Sequence, residues 1–507
     1  MTSSRPWALA GVVAGIGGLA ASYLCASLLT IRESPVVAVA ELVVRLTPGP
    51  VAERAIDILG SRDKPFLLSA VVVVLLGLFA LAGWLWSRAW WQSVLLWVAL
   101  ALVGLLAVLG QRGADATDTI PIGVGLALWL VLMLGLAALL RRDQAQLASE
   151  GAPGRRAFLL AAGTVTLVGV VLGSLGRIVG NRKRAVQESR RLLRIPGVTD
   201  PDPGGRNRIG VRGVRPWRTS NQDFYLIDTT MAVPAINPSE WRLRIHGMVD
   251  RELVLTYQDL LDRGLSEAWV TLNCVSNPVG GPLIGNAWWS GILTADLLAE
   301  VGVSPRADAV LQTSDDGWTC STPLEAMTDG RGAMLAVAMN GEPLPIEHGF
   351  PVRTLVPGLY GYVSACKWVV DLEVTRFADV TAFWTERGWA ERGPVKLSSR
   401  VDVPRSGESV PAGQLRVGGT AWHQQVGIAA VEVALDGGPW IGADLARQGS
   451  KDTWVQWAAT LDVAPGDHLI RVRATGEDGQ VQTGVRTDVV PDGATGWHEV
   501  DFTAEEA

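Results

Sequence analysis

Trp269-Val-Thr-Leu-Asn-Cys274-Val-Ser-Asn-Pro-Val-Gly-Gly-Pro-Leu-Ile-Gly-Asn-Ala-Trp-Trp-Ser-Gly291 runs from an apolar strand into a loop dense in Gly, Pro and Asn, and out into a second apolar run. The strand delivers Cys274 to a loop whose backbone can approach a ligand closely and offer hydrogen-bonding groups without bulky side chains. A lone thiol at a strand end serves as ligand to a soft metal, as a nucleophile, or as a small buried hydrophobe. On this segment alone the last reading is the commonest.

A second cluster shifts that balance. Residues 347–368 read Glu347-His-Gly-Phe-Pro-Val-Arg-Thr-Leu-Val-Pro-Gly-Leu-Tyr-Gly-Tyr-Val-Ser-Ala-Cys-Lys-Trp368. His348, Arg353 and Lys367 supply donors and positive charge around Gly- and Pro-shaped turns. That chemistry suits a phosphorylated, multi-acceptor ligand, since Arg binds phosphate as a planar fork and Lys adds a point charge. Taken singly, Arg353 and Lys367 are more commonly solvated charges on a strand face. Outward from these clusters, Trp241–Gly247 alternates as a half-buried strand. Thr256–Arg263 predicts a short helix capped by Thr256, and Leu293–Glu300 another capped by Thr294. Residues 181–215, rich in Arg, Gly and Pro, read as a linker.

Together the two clusters resemble the molybdopterin-binding domain of the sulfite oxidase family, and Asn221–Asp228 resembles the segment with which that family wraps its cofactor. The resemblance covers roughly residues 216–505. It implies an α+β molybdopterin domain over 216–392 and an all-β, immunoglobulin-like dimerisation domain over 393–507. It also implies molybdenum held by molybdopterin, with the Cys274 thiolate as protein ligand and catalytic centre. By motif match, Phe224 and Tyr225 make the first cofactor contacts and Thr313 a further one. His348 and Arg353 grip the pterin and its phosphate, and Ala365, Cys366 and Lys367 complete that grip. The chemistry implied is oxygen-atom transfer coupled to a two-electron redox change.

Two departures bear on the substrate. Sulfite-oxidising members follow the ligand cysteine with a Gly-Asn-Arg-Arg type of sequence, whereas Ser276-Asn277-Pro278-Val279 stands here. They also place a Tyr where Trp389 ends the Trp384–Trp389 segment. One Arg fewer and an extra indole demote a sulfite dianion, without excluding it, in favour of a neutral sulfoxide-like or N-oxide substrate. No cytochrome b5-like domain or haem motif is present, so a separate electron-transfer partner is expected. The competing expectation is a non-catalytic extracytoplasmic binding module that kept the fold.

The C-terminal region carries its own signals. Val431, Val433 and Leu435 alternate before Asp436-Gly437-Gly438, and Ile470, Val472 and Ala474 before Glu477-Asp478-Gly479. About seven short strands in about 110 residues is the pattern of a sandwich. Trp422, Trp440, Trp454 and Trp457 are expected in its core.

The front of the chain differs. Of 507 residues, 48% are hydrophobic and 19% charged, with mean hydropathy +0.25. Residues 1–200 hold 19 Lys and Arg against 11 Asp and Glu; residues 201–507 hold 25 against 39. The acidic soluble half, without a basic stripe, argues against a nucleic-acid partner. Four Cys without a CxxC pair argue against a disulfide scaffold or structural zinc. Trp7–Thr30, Pro65–Trp86, Ala89–Gly110, Ile120–Leu140 and Ala157–Gly176 are expected to span a bilayer within a membrane domain at 1–180. All five His follow position 240, so bis-His haem in the bilayer is excluded. Arg155-Arg156 before the last span resembles the twin-arginine export signal. Arg5, Arg88, Arg141 and Arg142 favour a cytoplasmic N-terminus and extracytoplasmic soluble domains, although Arg177, Arg182, Lys183 and Arg184 oppose this. Val36–Gly60 reads as a pair of short amphipathic helices. The resulting expectation is a multi-domain chain with partners in the lipid bilayer, a small-molecule substrate and, from the resemblance, a second copy as homodimer.

Overall fold

A computed structural model describes residues 5–506 apart from 30, 32–33, 49–50, 52–53, 55–62, 112–113, 151–155 and 180–181. The side chains of 63, 143–150, 156–158, 172–179 and 182–183 also fall outside the description. The chain divides into two units, Met1–Glu188 with Thr229–Ala235, and Ser189–Asp228 with Ile236–Ala507.

The first unit contains helices α1 (Arg5–Leu28), α2 (Pro35–Leu46), α3 (Asp63–Arg88), α4 (Trp90–Leu109), α5 (Ile120–Glu150) and α6 (Arg156–Val179). Among the described residues, α1, α3, α4 and α5 carry stretches long and apolar enough to cross a bilayer. In α6 the apolar stretch described is Leu159–Val171. Arg155 of the twin-arginine-like pair lies outside the described residues. The first of the two amphipathic helices is α2; most of the segment expected to form the second lies outside the described residues.

Glycines on α1 explain how its neighbours approach it. A Cβ on Gly11 would lie 2.1 Å from the Phe79 carbonyl oxygen of α3, and one on Gly83 equally close to the Trp7 carbonyl oxygen. Gly15 and Gly18 give the same room to the Phe79 and Trp129 rings. Backbone contact of this kind is how helices associate where water cannot drive burial. Trp129 adds a hydrogen bond, its Nε1–H donating to the Gly15 carbonyl at 3.0 Å.

The second unit begins within the helix Arg182–Leu192, which falls in the segment read as a linker, and continues as irregular chain into strands β1 (Arg242–Gly247), β2 (Leu253–Thr256), β3 (Ser266–Asn273), β4 (Ile284–Leu293), β5 (Ala309–Ser314), β6 (Thr319–Pro323), β7 (Met334–Met339), β8 (Glu342–Pro343), β9 (Arg353–Leu355) and β10 (Val369–Thr375). One sheet has the order β2-β1-β10-β5-β6 and another β3-β4-β7-β8, with β9 also paired to β7. Short helices between the strands make this region α+β. The β3–β4 hairpin, paired from Ser266↔Gly291 to Asn273↔Ile284, ends in the loop that carries Cys274.

The remaining strands are all β: β11 (Ser398–Val403), β12 (Glu408–Pro411), β13 (Gly413–Trp422), β14 (Ile428–Leu435), β15 (Ile441–Gly442), β16 (Asp444–Leu445), β17 (Val455–Val463), β18 (Gly466–Gly476) and β19 (His498–Glu505). They form sheets ordered β11-β13-β17-β16 and β12-β19-β18-β14-β15. One apolar core fills the space between them, with Val417, Trp457 and Leu461 from the first sheet and Val433, Ile470 and Val472 from the second.

Several local readings change. Residues 189–228 belong to the second unit, and part of the segment read as a linker is pinned to the all-β region: the Gln456 amide accepts from Ile209 N–H (2.9 Å) and donates to Arg215 O (2.6 Å). The helix after Thr256 spans only Tyr257–Leu261, closed by a Thr256–Asp259 capping box. Thr294 is not a cap: Leu293 holds that position and the Thr294 hydroxyl donates to Met327 O at 2.7 Å. Trp422, Trp454 and Trp457 are all buried, and Trp457 lies in the apolar core between the two sheets, whereas the Trp454 indole N–H donates to Trp217 O at 2.9 Å. Trp440 is only half-buried, edge-on to Trp497 at 5.0 Å and covered by Arg473 at 4.3 Å.

Candidate active site

Beyond Asn273 the chain leaves β3 and turns on its own hydrogen bonds. Cys274 N–H donates to Leu283 O (3.0 Å) and Asn277 N–H to Cys274 O (3.1 Å). The Asn277 side-chain oxygen accepts from Leu283 N–H at 2.9 Å. Gly280 has φ +76°, a region that favours glycine. Cys274 is half-buried at the mouth of this loop. Burial pushes its thiol above the ordinary value, opposed by the Ser276 N–H and hydroxyl. An unassisted Cys274 is therefore a neutral thiol at pH 7, and a coordinated cation is what would make it a thiolate.

Tyr225 stands in the field of both Cys274 and Arg353. Burial raises its phenol furthest; Cys274 raises it more, and Arg353 opposes. Phe224 stacks on Tyr225 at 5.3 Å and meets Trp289 and His348 edge-on at 5.8 and 5.6 Å. Gly285 leaves room for that ring, since a Cβ there would lie 2.7 Å from it. A Cβ on Gly361 would lie 3.7 Å from the Ala365 Cβ and 3.9 Å from the Tyr225 hydroxyl, so the turn carrying Ala365 faces the same wall.

His348 differs from its sequence reading as part of a cationic cluster. Burial lowers its pKa to about 4, with Arg353 and Lys367 lowering it further and the Asn221 carbonyl opposing. The ring is neutral at pH 7. Its Nε2–H donates to Asn221 O at 2.9 Å, which fixes the tautomer and leaves Nδ1 as an acceptor.

Arg353 has 6% of its surface exposed. Its guanidinium donates to the carbonyls of His348 (3.1 Å), Thr354 (3.4 Å) and Ala365 (3.5 Å). The Trp289 ring lies 5.3 Å away. Burial lowers its pKa to about 10, which leaves it charged at pH 7. No ion pair involves Arg353 among the described residues. A buried charge without a counter-ion costs several kcal/mol, so this fork fits an anion brought by a ligand. Lys367 is engaged differently: its ammonium donates to Asp228 at 2.7 Å and to Glu347 O at 3.1 Å. Asn221–Asp228, the predicted wrapping segment, is thus held near one end by His348 and at the other by Lys367.

The structure brings Cys274, Tyr225, Phe224, His348, Arg353 and Ala365 around one wall, with Lys367 adjoining. Thr313, the further contact that the resemblance implies, lies on β5. It is half-buried on the face of β5 opposite Gln312, which is fully buried. Gln312 was missed by sequence reasoning. Its amide oxygen accepts from the Thr354 hydroxyl, which accepts from Cys366 N–H at 2.8 Å, and its amide nitrogen donates to Thr322. The one signal available was an amide inside the apolar run of β5. Cys366 itself is buried in the protein; its N–H serves Thr354, and its thiol is pushed well up, by burial first and then by contact with Cys320. Trp389 is 6% exposed, 5.9 Å from Tyr362, and its indole N–H has no partner among the described residues.

A profile of the oxidoreductase molybdopterin binding domain matches residues 230–384. The uncharacterized oxidoreductase YuiH of Bacillus subtilis is 33% identical over 155 residues, covering 31% of this chain and 75% of that protein. Sulfite oxidase of Gallus gallus is 29% identical over 299 residues, covering 50% of this chain and 64% of that protein. The mitochondrial sulfite oxidase of Homo sapiens is 28% identical over 289 residues. This chain spans only 53% of that enzyme's length. Among solved structures, the sulfane dehydrogenase SoxCD of Paracoccus pantotrophus aligns with TM-score 0.49 and 23% identity, over 64% of this chain and 92% of its own.

Proposed function

Because the chain belongs to the sulfite oxidase family of molybdopterin-dependent oxidoreductases, with molybdenum–molybdopterin as cofactor, we propose that it is a membrane-anchored enzyme of oxygen-atom transfer. The substrate is a small sulfur- or nitrogen-containing molecule, and electrons are exchanged with a separate redox partner. When bound, the cofactor supplies the metal at which oxygen is exchanged and the accompanying two-electron change.

The chain's own residues take the remaining tasks. Cys274 is the protein ligand of the metal. Arg353 receives the cofactor phosphate in its fork, with Lys367 as the adjoining charge; Phe224, Tyr225 and neutral His348 flank the pterin, and the Ala365 turn closes against it. The observation that carries this reading is Arg353, a buried guanidinium that, among the described residues, donates to carbonyls alone. Thr313 supplies a further contact to the cofactor, and the backbone of Ala365 and Cys366 completes the grip with Lys367. Val279 in place of an anion-binding Arg, and the indole N–H of Trp389 without a partner among the described residues, favour a neutral oxygen-atom donor such as a sulfoxide or N-oxide over sulfite dianion.

In this reading residues 1–180 anchor the chain, 216–392 hold the cofactor, and 393–507 form an immunoglobulin-like domain that pairs two copies. The soluble unit lies outside the cytoplasm, exported by the twin-arginine-like motif. Metal analysis and visible spectra of detergent-purified protein, wild type beside Cys274→Ser, test the assignment. About one molybdenum per chain is expected, with a thiolate-to-metal band altered in the variant. Metal-free protein from cells that make the cofactor, or an unaltered band in Cys274→Ser, would refute it.

A further inference from the structure

Two side chains of the all-β region hold the loop that carries Cys274. Arg400, on β11, is 2% exposed and sends three nitrogens in three directions. Nε pairs with Asp402 at 2.9 Å, Nη2 donates to the Thr420 hydroxyl at 3.2 Å, and Nη1 donates to Gly281 O at 2.9 Å. His498, at the start of β19, occupies the space beside Gly280: a Cβ on Gly280 would lie 2.0 Å from the ring. That ring is itself fixed, since its Nδ1 accepts from Val401 N–H at 3.1 Å. The loop is thus hooked at Gly281 and wedged at Gly280.

The loop's internal bonds transmit this restraint. Gly281 N–H donates to Pro278 O at 2.8 Å, Asn277 clasps both Cys274 O and Leu283 N–H, and Leu283 O takes Cys274 N–H. A shift at Gly281 therefore moves Cys274 rather than being absorbed by slack chain. Burying an ion pair brings little net stability, because desolvation offsets attraction; the directional contact with the loop is the Nη1 hydrogen bond to Gly281 O.

Resting on the reading of Cys274 as the metal ligand, we propose that Arg400 is a positioning residue that, with the His498 wedge, sets the orientation of the Cys274 sulfur at the metal. The all-β region is then part of the active-site scaffold, whatever it contributes to pairing of chains. A lysine in place of Arg400 has one nitrogen, enough to keep the Asp402 pair and too few to hold Gly281.

The test uses full-length, detergent-purified protein. Arg400→Lys is expected to keep its molybdenum and its thermal midpoint. Its thiolate-to-metal band and Mo(V) electron paramagnetic resonance should shift, and kcat should fall about tenfold with KM nearly unchanged, the response to a misplaced reacting group. In cofactor-free protein from cells unable to make molybdopterin, alkylation of Cys274 by iodoacetamide, read by peptide mass, should change severalfold. The double variant Arg400→Met with Asp402→Leu removes the hook without stranding a charge and carries the same expectation if the lysine variant is unstable. Wild-type spectra and alkylation rate in a folded variant overturn the proposal. Cys274→Ser, measured alongside, separates the two ideas: if it keeps the wild-type spectrum, the ligand reading fails and this inference with it; if it loses the band while the Arg400 variants keep theirs, only the positioning role fails.

Discussion

A guanidinium buried among carbonyl oxygens, with no carboxylate of the described residues within ion-pair distance, is a liability in an empty protein and an asset once an anion arrives. Arg353 makes that trade testable because the two states respond with opposite sign. Arg353→Met removes an uncompensated buried charge, whose burden is of order several kcal/mol. Its thermal midpoint in cofactor-free protein is therefore expected to stay level or rise by a few degrees. In cofactor-producing cells the same variant should retain less than about a tenth of the molybdenum, since a charge-assisted bidentate contact is lost. Scanning calorimetry and metal analysis read the two halves; a lower midpoint together with full metal content would show that Arg353 serves the fold instead. At this scale residue types were legible from sequence while their states were not. Arg353 and His348 share one short motif, yet burial makes one an unpaired cation and the other a neutral acceptor. Lys367 finds its counter-ion in Asp228, a pairing across 139 residues that no local pattern announces.

Strands and turns position those side chains, and here one buried hydroxyl links three segments. Thr354 on β9 donates to Gln312 on β5 and accepts from the Cys366 N–H, tying the Arg353 strand to the Ala365–Lys367 turn. Thr354→Val keeps the shape and strands two buried polar groups, each costing about 1–3 kcal/mol. A thermal midpoint lower by several degrees is expected, with Thr354→Ser close to wild type; equal midpoints for Val and Thr would remove the network from the stability of the site. Turn chemistry was the most legible feature of the elements. Asp436 and Gly437 take the positive φ, +53° and +72°, that a tight hairpin after Val431–Leu435 demands. Faces and caps were less so. The residues of β5 alternate, but only the packed sheet shows that Gln312 is fully buried while Thr313 lies half-buried on the opposite face. Thr294 fits a cap by type and instead spends its hydroxyl on Met327, because its helix starts against a buried turn.

For the molecule as a whole, the parity of membrane crossings decides where the chemistry takes place. Apolar runs made α1, α3, α4 and α5 legible as candidate spans; α1's packing against α3, α5 and α6 rests on which face its glycines occupy and could not be read from hydropathy. If only those four cross, the soluble unit lies on the same side as the N-terminus; if α6 crosses as well, it lies on the other. The basic residues Arg5, Arg88, Arg141 and Arg142 favour a cytoplasmic N-terminus, and the cluster Arg177, Arg182, Lys183 and Arg184 opposes export of the soluble unit. Export of an already folded unit through the twin-arginine-like pair is the one route that lets both facts stand. Protease added to intact spheroplasts is therefore expected to digest the soluble unit of the wild-type protein. Changing Arg155 and Arg156 together to Lys should leave that unit protected and still loaded with molybdenum, since the cofactor is inserted before export on this route. Protection of the wild type would place the site in the cytoplasm and reduce α6 to a peripheral helix; digestion of both proteins alike would keep the five crossings and discard the folded-export route.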